Sequence, residues 1–227
     1  ITRRLLVSFV STAGPYNPPV LASILIALLI SAASPAQAQA DPNLDLAKAA
    51  QARGDQPAAL DALAVAARAR TAATIIGVTG SVGKTGTKEL VADVLATRFT
   101  VFRTPGNFSG RFGLAVALGG LRPEHQVAVV EMATGHHGEM AAMCAMAPPE
   151  VGVVTAIDAA HLVALGDVDG VAREKGVLVD HLGPAGLAVL AGDDPRAAGL
   201  AGRSAAPVTT VGAGAAADVR ALDVRVT

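Results

Sequence analysis

The residues that could do chemistry sit in short, glycine-bearing stretches, and the densest is "GVTGSVGKTGTKEL" (77–90). Gly80, Ser81, Val82, Gly83, Lys84, Thr85 and Gly86 lie between an apolar run and an amphipathic one. Glycines let backbone N–H groups turn toward a phosphate with no side chain in the way. A helix starting near Lys84 adds partial positive charge at its first turn. In such a loop Lys84 reaches the β- and γ-phosphates of a nucleotide, and the Thr85 hydroxyl ligates Mg2+. The general pattern G-x-x-x-x-G-K-[S/T] wants glycine at position 78, where this chain has Val78, so the match is to a variant, T-G-S-x-G-K-T. The alternative is an ordinary glycine turn with a solvated lysine. The order strand, loop, helix favours the phosphate loop.

Other candidates are single residues. Glu131 ends the apolar run "VAVVEM" and is a hard oxygen ligand suited to Mg2+; an acid closing such a run is otherwise poorly placed. His161 follows the next apolar run and could equally be a structural histidine. His136 and His137 are adjacent, and neighbours on one loop seldom both point inward. Lys175, beside Glu174, reads on its own as a solvated helix charge. Asp193-Asp194-Pro195 reads as a turn cap or as part of a nucleotide site. Cys144 is the one cysteine, which excludes an internal disulfide and a cysteine-based zinc cluster; it is expected to be a small buried hydrophobe.

These residues need elements to position them. "ATIIGVT" (73–79) is short, apolar and β-branched, consistent with a buried parallel strand. Further strands are expected at 100–102, 127–132, 151–155, 187–190 and 208–211, with helices around 138–147, 168–182 and 195–203. "TKELVADVLATRF" places Leu90, Val91, Val94 and Leu95 on one helical face. The alternation predicts an α/β fold, a mostly parallel sheet with flanking helices. Ligands of such sheets bind at the carboxyl ends of the strands, where these candidates lie.

The composition supports a packed core: 52% of the 227 residues are hydrophobic and 16% charged, which argues against wholesale disorder. With aromatics at 3%, Ala, Val and Leu must fill that core. A net charge of −1 points to no nucleic-acid partner. Residues 1–40 differ from the rest: Arg3 and Arg4, then the apolar run Val20–Ala33, then "SPAQAQA". That order resembles a secretory signal, and the run is short for a stable membrane span. A foreign extension or a core helix are the other readings of 1–40. Residues 41–71 are rich in helix formers interrupted by Gly54, Asp55 and Pro57, which predicts a helical linker or hairpin. The block from 72 to 227 is the expected nucleotide domain. The chain opens on Ile1 and stops within "ALDVRVT", so it is expected to be a piece of a longer protein.

Taken together, "GVTGSVGKTGTKEL", "TPGNF" (104–108), "VVEMATGHHGEM" (129–140), "AHLVALGDVDGVAREKG" (160–176) and "AVLAGDDP" (188–195) resemble the Mur ligase family, closest to its MurF branch. The resemblance covers about 60–227, with the motifs in family order. It implies a P-loop NTPase-like central ATP-binding domain, here incomplete, set between a UDP-binding domain and a closing domain. It also implies ATP-dependent amide formation through an acyl phosphate, joining D-alanyl-D-alanine to a UDP-muramoyl tripeptide in the cytoplasm, by a monomer. By the same resemblance Lys84, Glu131, His161 and Lys175 are the catalytic positions, and Thr85, Glu131, His161 and Lys175 hold two Mg2+ ions. The resemblance further implies a carbamate on Lys175 and substrate contacts from Asn107 and His136. An acyl phosphate makes chemical sense, because a carboxylate needs a better leaving group than oxide, and the phosphoryl group in transit demands cations.

The chain departs from the family where asparagines are usual. Ser109-Gly110 replace an Asn pair, and Gly135, Ala156 and Ala191 each stand where the family has Asn. Each lost amide contact costs roughly 0.5–1.5 kcal/mol. The charged set Lys84, Thr85, Glu131, His161 and Lys175 is intact. The sequence also admits two further readings: a nucleotide-binding module without ligase activity, and an exported protein of unrelated function.

Overall fold

The structure, a computed structural model, describes residues 42–222 except Asn107. The signal-like segment 1–40 and the substrate candidate Asn107 therefore lie outside the described residues. No helix among the described residues is long and apolar enough to cross a membrane.

Two helices come first, α1 (Pro42–Ala52) and α2 (Gln56–Ala69). Asp55 caps α2 by accepting the N–H of Ala58, and Pro57 sits in the first turn, where a missing N–H costs nothing. Then come β1 (Thr74–Thr79), α3 (Lys84–Ala96), β2 (Val101–Arg103), α4 (Arg111–Leu118), β3 (Val127–Glu131), α5 (Glu139–Met146) and β4 (Val151–Val154). The chain continues through α6 (Leu162–Leu165), α7 (Val168–Asp180), β5 (Leu187–Ala191), α8 (Pro195–Gly199), a 3-10 turn (Leu200–Arg203), β6 (Val208–Gly212) and β7 (Val219–Arg220).

Among the described residues seven strands form one sheet in the order β2-β3-β1-β4-β5-β6-β7, every neighbouring pair parallel. The strands fall within a residue or two of the expected positions; β7 and helices α4 and α6 were not located from sequence. The strand order reverses at β1, so the phosphate loop and the ends of β3 and β4 meet at one switch point. There Val78 pairs with Glu131 on one side and Val153 on the other.

Alternate residues of β1 serve opposite layers, as a pleated strand requires. Ile75 packs with Ala128, Val130, Leu114, Leu118, Met140 and Leu178, whereas Val78 packs with Val127, Val129 and Ala92. The α1–α2 hairpin joins the first layer: Ala59, Leu60, Leu63 and Ala64 lie in the same buried cluster as Ile75. An Arg111–Asp61 ion pair ties α2 to α4. Cys144 is buried in this layer, and burial pushes its thiol up to about 12.

The apolar face expected on α3 is only half used. Val91 and Leu95 pack against the Val78 cluster, but Leu90 and Val94 are 69% and 68% exposed. They border an open trough with Ile76, Val151, Val153, Val189 and Val211. Besides the small Ala92, the side chain that α3 buries completely is Lys88.

Candidate functional site

The loop after β1 is shaped by close contact. Gly80 has φ +145°, and a Cβ there would stand 2.0 Å from the Thr155 hydroxyl, so only glycine fits. Gly83 has φ +82° and opens α3. Lys84 Nζ folds back on its own loop, donating to the carbonyls of Gly80 (2.9 Å) and Ser81 (3.1 Å). Ser81 stitches the loop to the segment after β4: its N–H donates to Ala156 O at 2.7 Å, and its hydroxyl bonds both the carbonyl and the N–H of Asp158 at 2.9 Å. Val82 points to solvent, and a Cβ on Gly86 would meet nothing.

Thr85 begins α3 and faces the end of β3. Its hydroxyl donates to Glu131 Oε2 at 2.9 Å. Glu131 is 4% exposed, and its N–H donates to the Thr104 hydroxyl at 3.1 Å. Two hard oxygens thus meet at the loop mouth. Mg2+ usually binds one or two protein oxygens and takes water and phosphate for the rest, so this pair fits it.

The other wall is α7 and the segment before α6. Lys175 is 2% exposed and has no hydrogen-bond or ion-pair partner among the described residues. Burial lowers its amine to about 8; the positive charge of Lys84 adds to the lowering and Glu174 opposes it. That repulsion places Lys175 and Lys84 in one neighbourhood. Glu174 points elsewhere, accepting the N–H groups of Gly138 and Met140 at 2.9 Å and so tying α7 to the start of α5. His161 has φ +55°, an uncommon left-handed backbone for a non-glycine residue, and its ring lies 3.5 Å from where a Cβ on Gly135 would be. Among the described residues no group of three His, Cys, Asp or Glu side chains could hold a metal ion.

The remaining candidates are peripheral or structural. His136 and His137 are both exposed, standing 3.6 Å and 3.8 Å from Glu139 and Glu174. Asp194 caps α8 through the N–H groups of Arg196 and Ala197 and also accepts from Ile157 N at 2.6 Å. Asp193 accepts from Ala213 and Gly214, which holds its carboxyl below the usual range.

Sequence reasoning passed over Lys88. It lies one helical turn after Lys84, and that i+4 spacing was the available signal that both face the site. Arg111 was also missed, because α4 was not recognised as a helix.

The Mur ligase middle domain model matches residues 78–227. The chain is 40% identical over 157 residues to the UDP-N-acetylmuramoyl-tripeptide–D-alanyl-D-alanine ligase of Mycobacterium tuberculosis, covering 68% of this chain and 31% of that protein. The chain thus spans about a third of the length of such relatives. Among solved structures, MurF from Acinetobacter baumannii superposes with a TM-score of 0.71 at 31% identity, over 75% of this chain and 38% of that one. MurF from Thermotoga maritima in complex with ADP gives 0.64, also at 31% identity, over 70% and 37%.

Proposed function

The chain belongs to the Mur ligase family through its middle domain, and from that premise we propose that it is the ATP-binding core of a cytoplasmic ligase. The ligase adds D-alanyl-D-alanine to a UDP-muramoyl tripeptide. The observation that carries the reading is the Thr85–Glu131 contact at the mouth of a glycine loop whose lysine is held by two loop carbonyls. The names and the ADP-bound state of the relatives support the same assignment.

In this reading the residues divide the work. Backbone N–H groups of 80–85 cradle the phosphates, and Lys84 leaves the Gly80 and Ser81 carbonyls to meet them. Thr85 and Glu131 would hold one Mg2+, and His161 with a carbamoylated Lys175 would hold a second. Mg2+ supplies charge neutralisation for the phosphoryl group in transit. An amine lowered to about 8 is partly neutral near pH 7, as addition to CO2 requires. The tripeptide carboxylate takes the γ-phosphoryl group while its bond to ADP breaks. The D-alanyl-D-alanine amine then attacks the acyl carbonyl, phosphate leaves, and the amine's proton passes to solvent. Asn107 and His136 are proposed to sit on the substrate side. Residues 41–71 would lead into the central domain at 72–227, and the UDP-binding and closing domains of a full-length monomer would complete the site.

The test is phosphate release by the full-length protein. Release that needs both the UDP-muramoyl tripeptide and D-alanyl-D-alanine supports the ligase. Nucleotide binding with no release under either substrate would leave a binding module.

A further inference from the structure

Lys88 is wholly buried, at 0% exposure, yet it carries a charge. A buried ammonium persists only where acceptors surround it. Its Nζ donates to the carbonyl of Thr104 at 2.7 Å and lies 3.4 Å from that of Gly106, pairs with Glu89 at 2.8 Å, and stands 4.0 Å from Glu131 Oε2. Thr104 in turn accepts the Glu131 N–H on its hydroxyl. One ammonium thus joins three things: the helix that starts at Lys84, the carboxylate at the end of β3, and the turn just before Asn107. Glu89 is shared with Arg103, so it anchors the solvent side of the cluster rather than the cleft.

We propose that Lys88 is a positioning residue, which fixes Glu131 relative to the Thr104–Gly106 turn so that the metal carboxylate keeps one position at the loop mouth. The proposal rests on Glu131 being a Mg2+ ligand. Its short bonds go to Thr104 and Glu89, not to Glu131, so Lys88 acts mainly through the backbone of Thr104.

Charge and position make opposite predictions. By charge alone, deleting an ammonium 4.0 Å from a metal carboxylate tightens Mg2+ binding. By position, deletion lets Thr104 and Glu131 drift and weakens it. The measurement is calorimetric binding of a non-hydrolysable ATP analogue to the full-length chain, with and without Mg2+. In Lys88→Met and Lys88→Gln the Mg2+-supported affinity is expected to fall about tenfold, and the metal-free affinity, which rests on the glycine loop and Lys84, by less than about twofold. Glu89→Gln is expected to leave both within about twofold. Tighter Mg2+ binding, or a lower melting temperature with both affinities unchanged, overturns the proposal. Hydrogen exchange of the unmodified protein decides it even if neither Lys88 variant folds. Adding Mg2+ to the nucleotide complex should slow exchange at the Thr104 and Gly106 amides, and no change there overturns the coupling. If the unmodified protein shows no Mg2+ enhancement at all, it is the reading of Glu131 that fails instead.

Discussion

On the β1–β3 side of the cleft Lys84, Thr85, Glu131 and Lys88 all have hydrogen-bond partners within the protein; on the β4–α7 side Lys175 is buried with none among the described residues, and His161 holds a left-handed backbone. The first wall is preorganised apart from Lys84, which must exchange its loop carbonyls for phosphate; Thr85, Glu131 and Lys88 already hold their partners. The second wall stores unfavourable terms, a desolvated amine and a sparsely populated φ, that binding or modification would relieve. Stability is kept on one wall and given up on the other.

Removing the first wall's cation should have the largest effect. Lys84→Ala is expected to lower ATP-dependent turnover by roughly 10^3-fold or more in the full-length protein, with the circular dichroism spectrum unchanged. A folded variant with unaltered nucleotide affinity and turnover would mean that the preorganised wall is not the phosphate wall.

The second wall predicts a loss that chemistry can partly undo. Lys175→Ala should lower turnover by about 10^2-fold, and small carboxylic acids should restore part of it by standing in for a carbamate. Full activity without any added acid would remove the carbamate from the reading. The same lysine also sharpens the contrast in stability. Its amine is lowered in the folded state to about 8 from an ordinary 10.5. Between those values the unfolded chain holds a proton that the folded chain has released, so stability rises with pH across that window. Below pH 8 the full penalty of a buried ammonium applies. Lys175→Met should therefore raise the melting midpoint at pH 7 by about 3 °C or more, and the gain should shrink toward pH 10.5. An equal gain at both ends would show that packing, not charge, was responsible.

A smaller effect belongs to the joint between the walls. Asp194 caps α8 and also receives the Ile157 N–H, which leads toward His161. Asp194→Ala should cost about 1–2 kcal/mol in denaturant unfolding. A cost near zero would mean that the segment before α6 is held by Ser81 alone.

The preorganised wall was the legible one. Its glycines, Lys84 and Thr85 follow one another along the chain, and the apolar strands on either side have a length and β-branching that few other elements share. Residues brought in from a distance were less legible. Lys88 faces inward because Thr104, Gly106 and Glu131 are there to receive it, and none of the three is its neighbour in sequence. Helix α4 contains Gly113 and starts from Gly110 with no side-chain cap, so the local start and stop signals are weak. The face of α3 was misjudged for a related reason. Periodicity finds an apolar stripe, but whether Leu90 and Val94 are covered depends on what packs there, which periodicity does not encode.

The mildest change bears on the missing asparagines. Gly135 stands where the family resemblance of the sequence implies Asn, and it lies beside the His161 ring. A Cβ there would sit 3.5 Å from His161 Nδ1 and 3.8 Å from Cε1, ordinary contact distances, so a larger residue does not force a clash at its first atom. The backbone at 135 already donates to Glu139, and Gly135 is not among the positive-φ glycines, so a side chain brings no left-handed strain. Gly135→Asn should leave the melting midpoint within about 2 °C. The added amide lies against the second wall and offers both a donor and an acceptor near the proposed substrate. It should lower the KM for the UDP-muramoyl tripeptide by about three- to tenfold, the worth of one net hydrogen bond, while leaving nucleotide affinity unchanged. A change in nucleotide affinity instead would mean that the two walls share one ligand at this point.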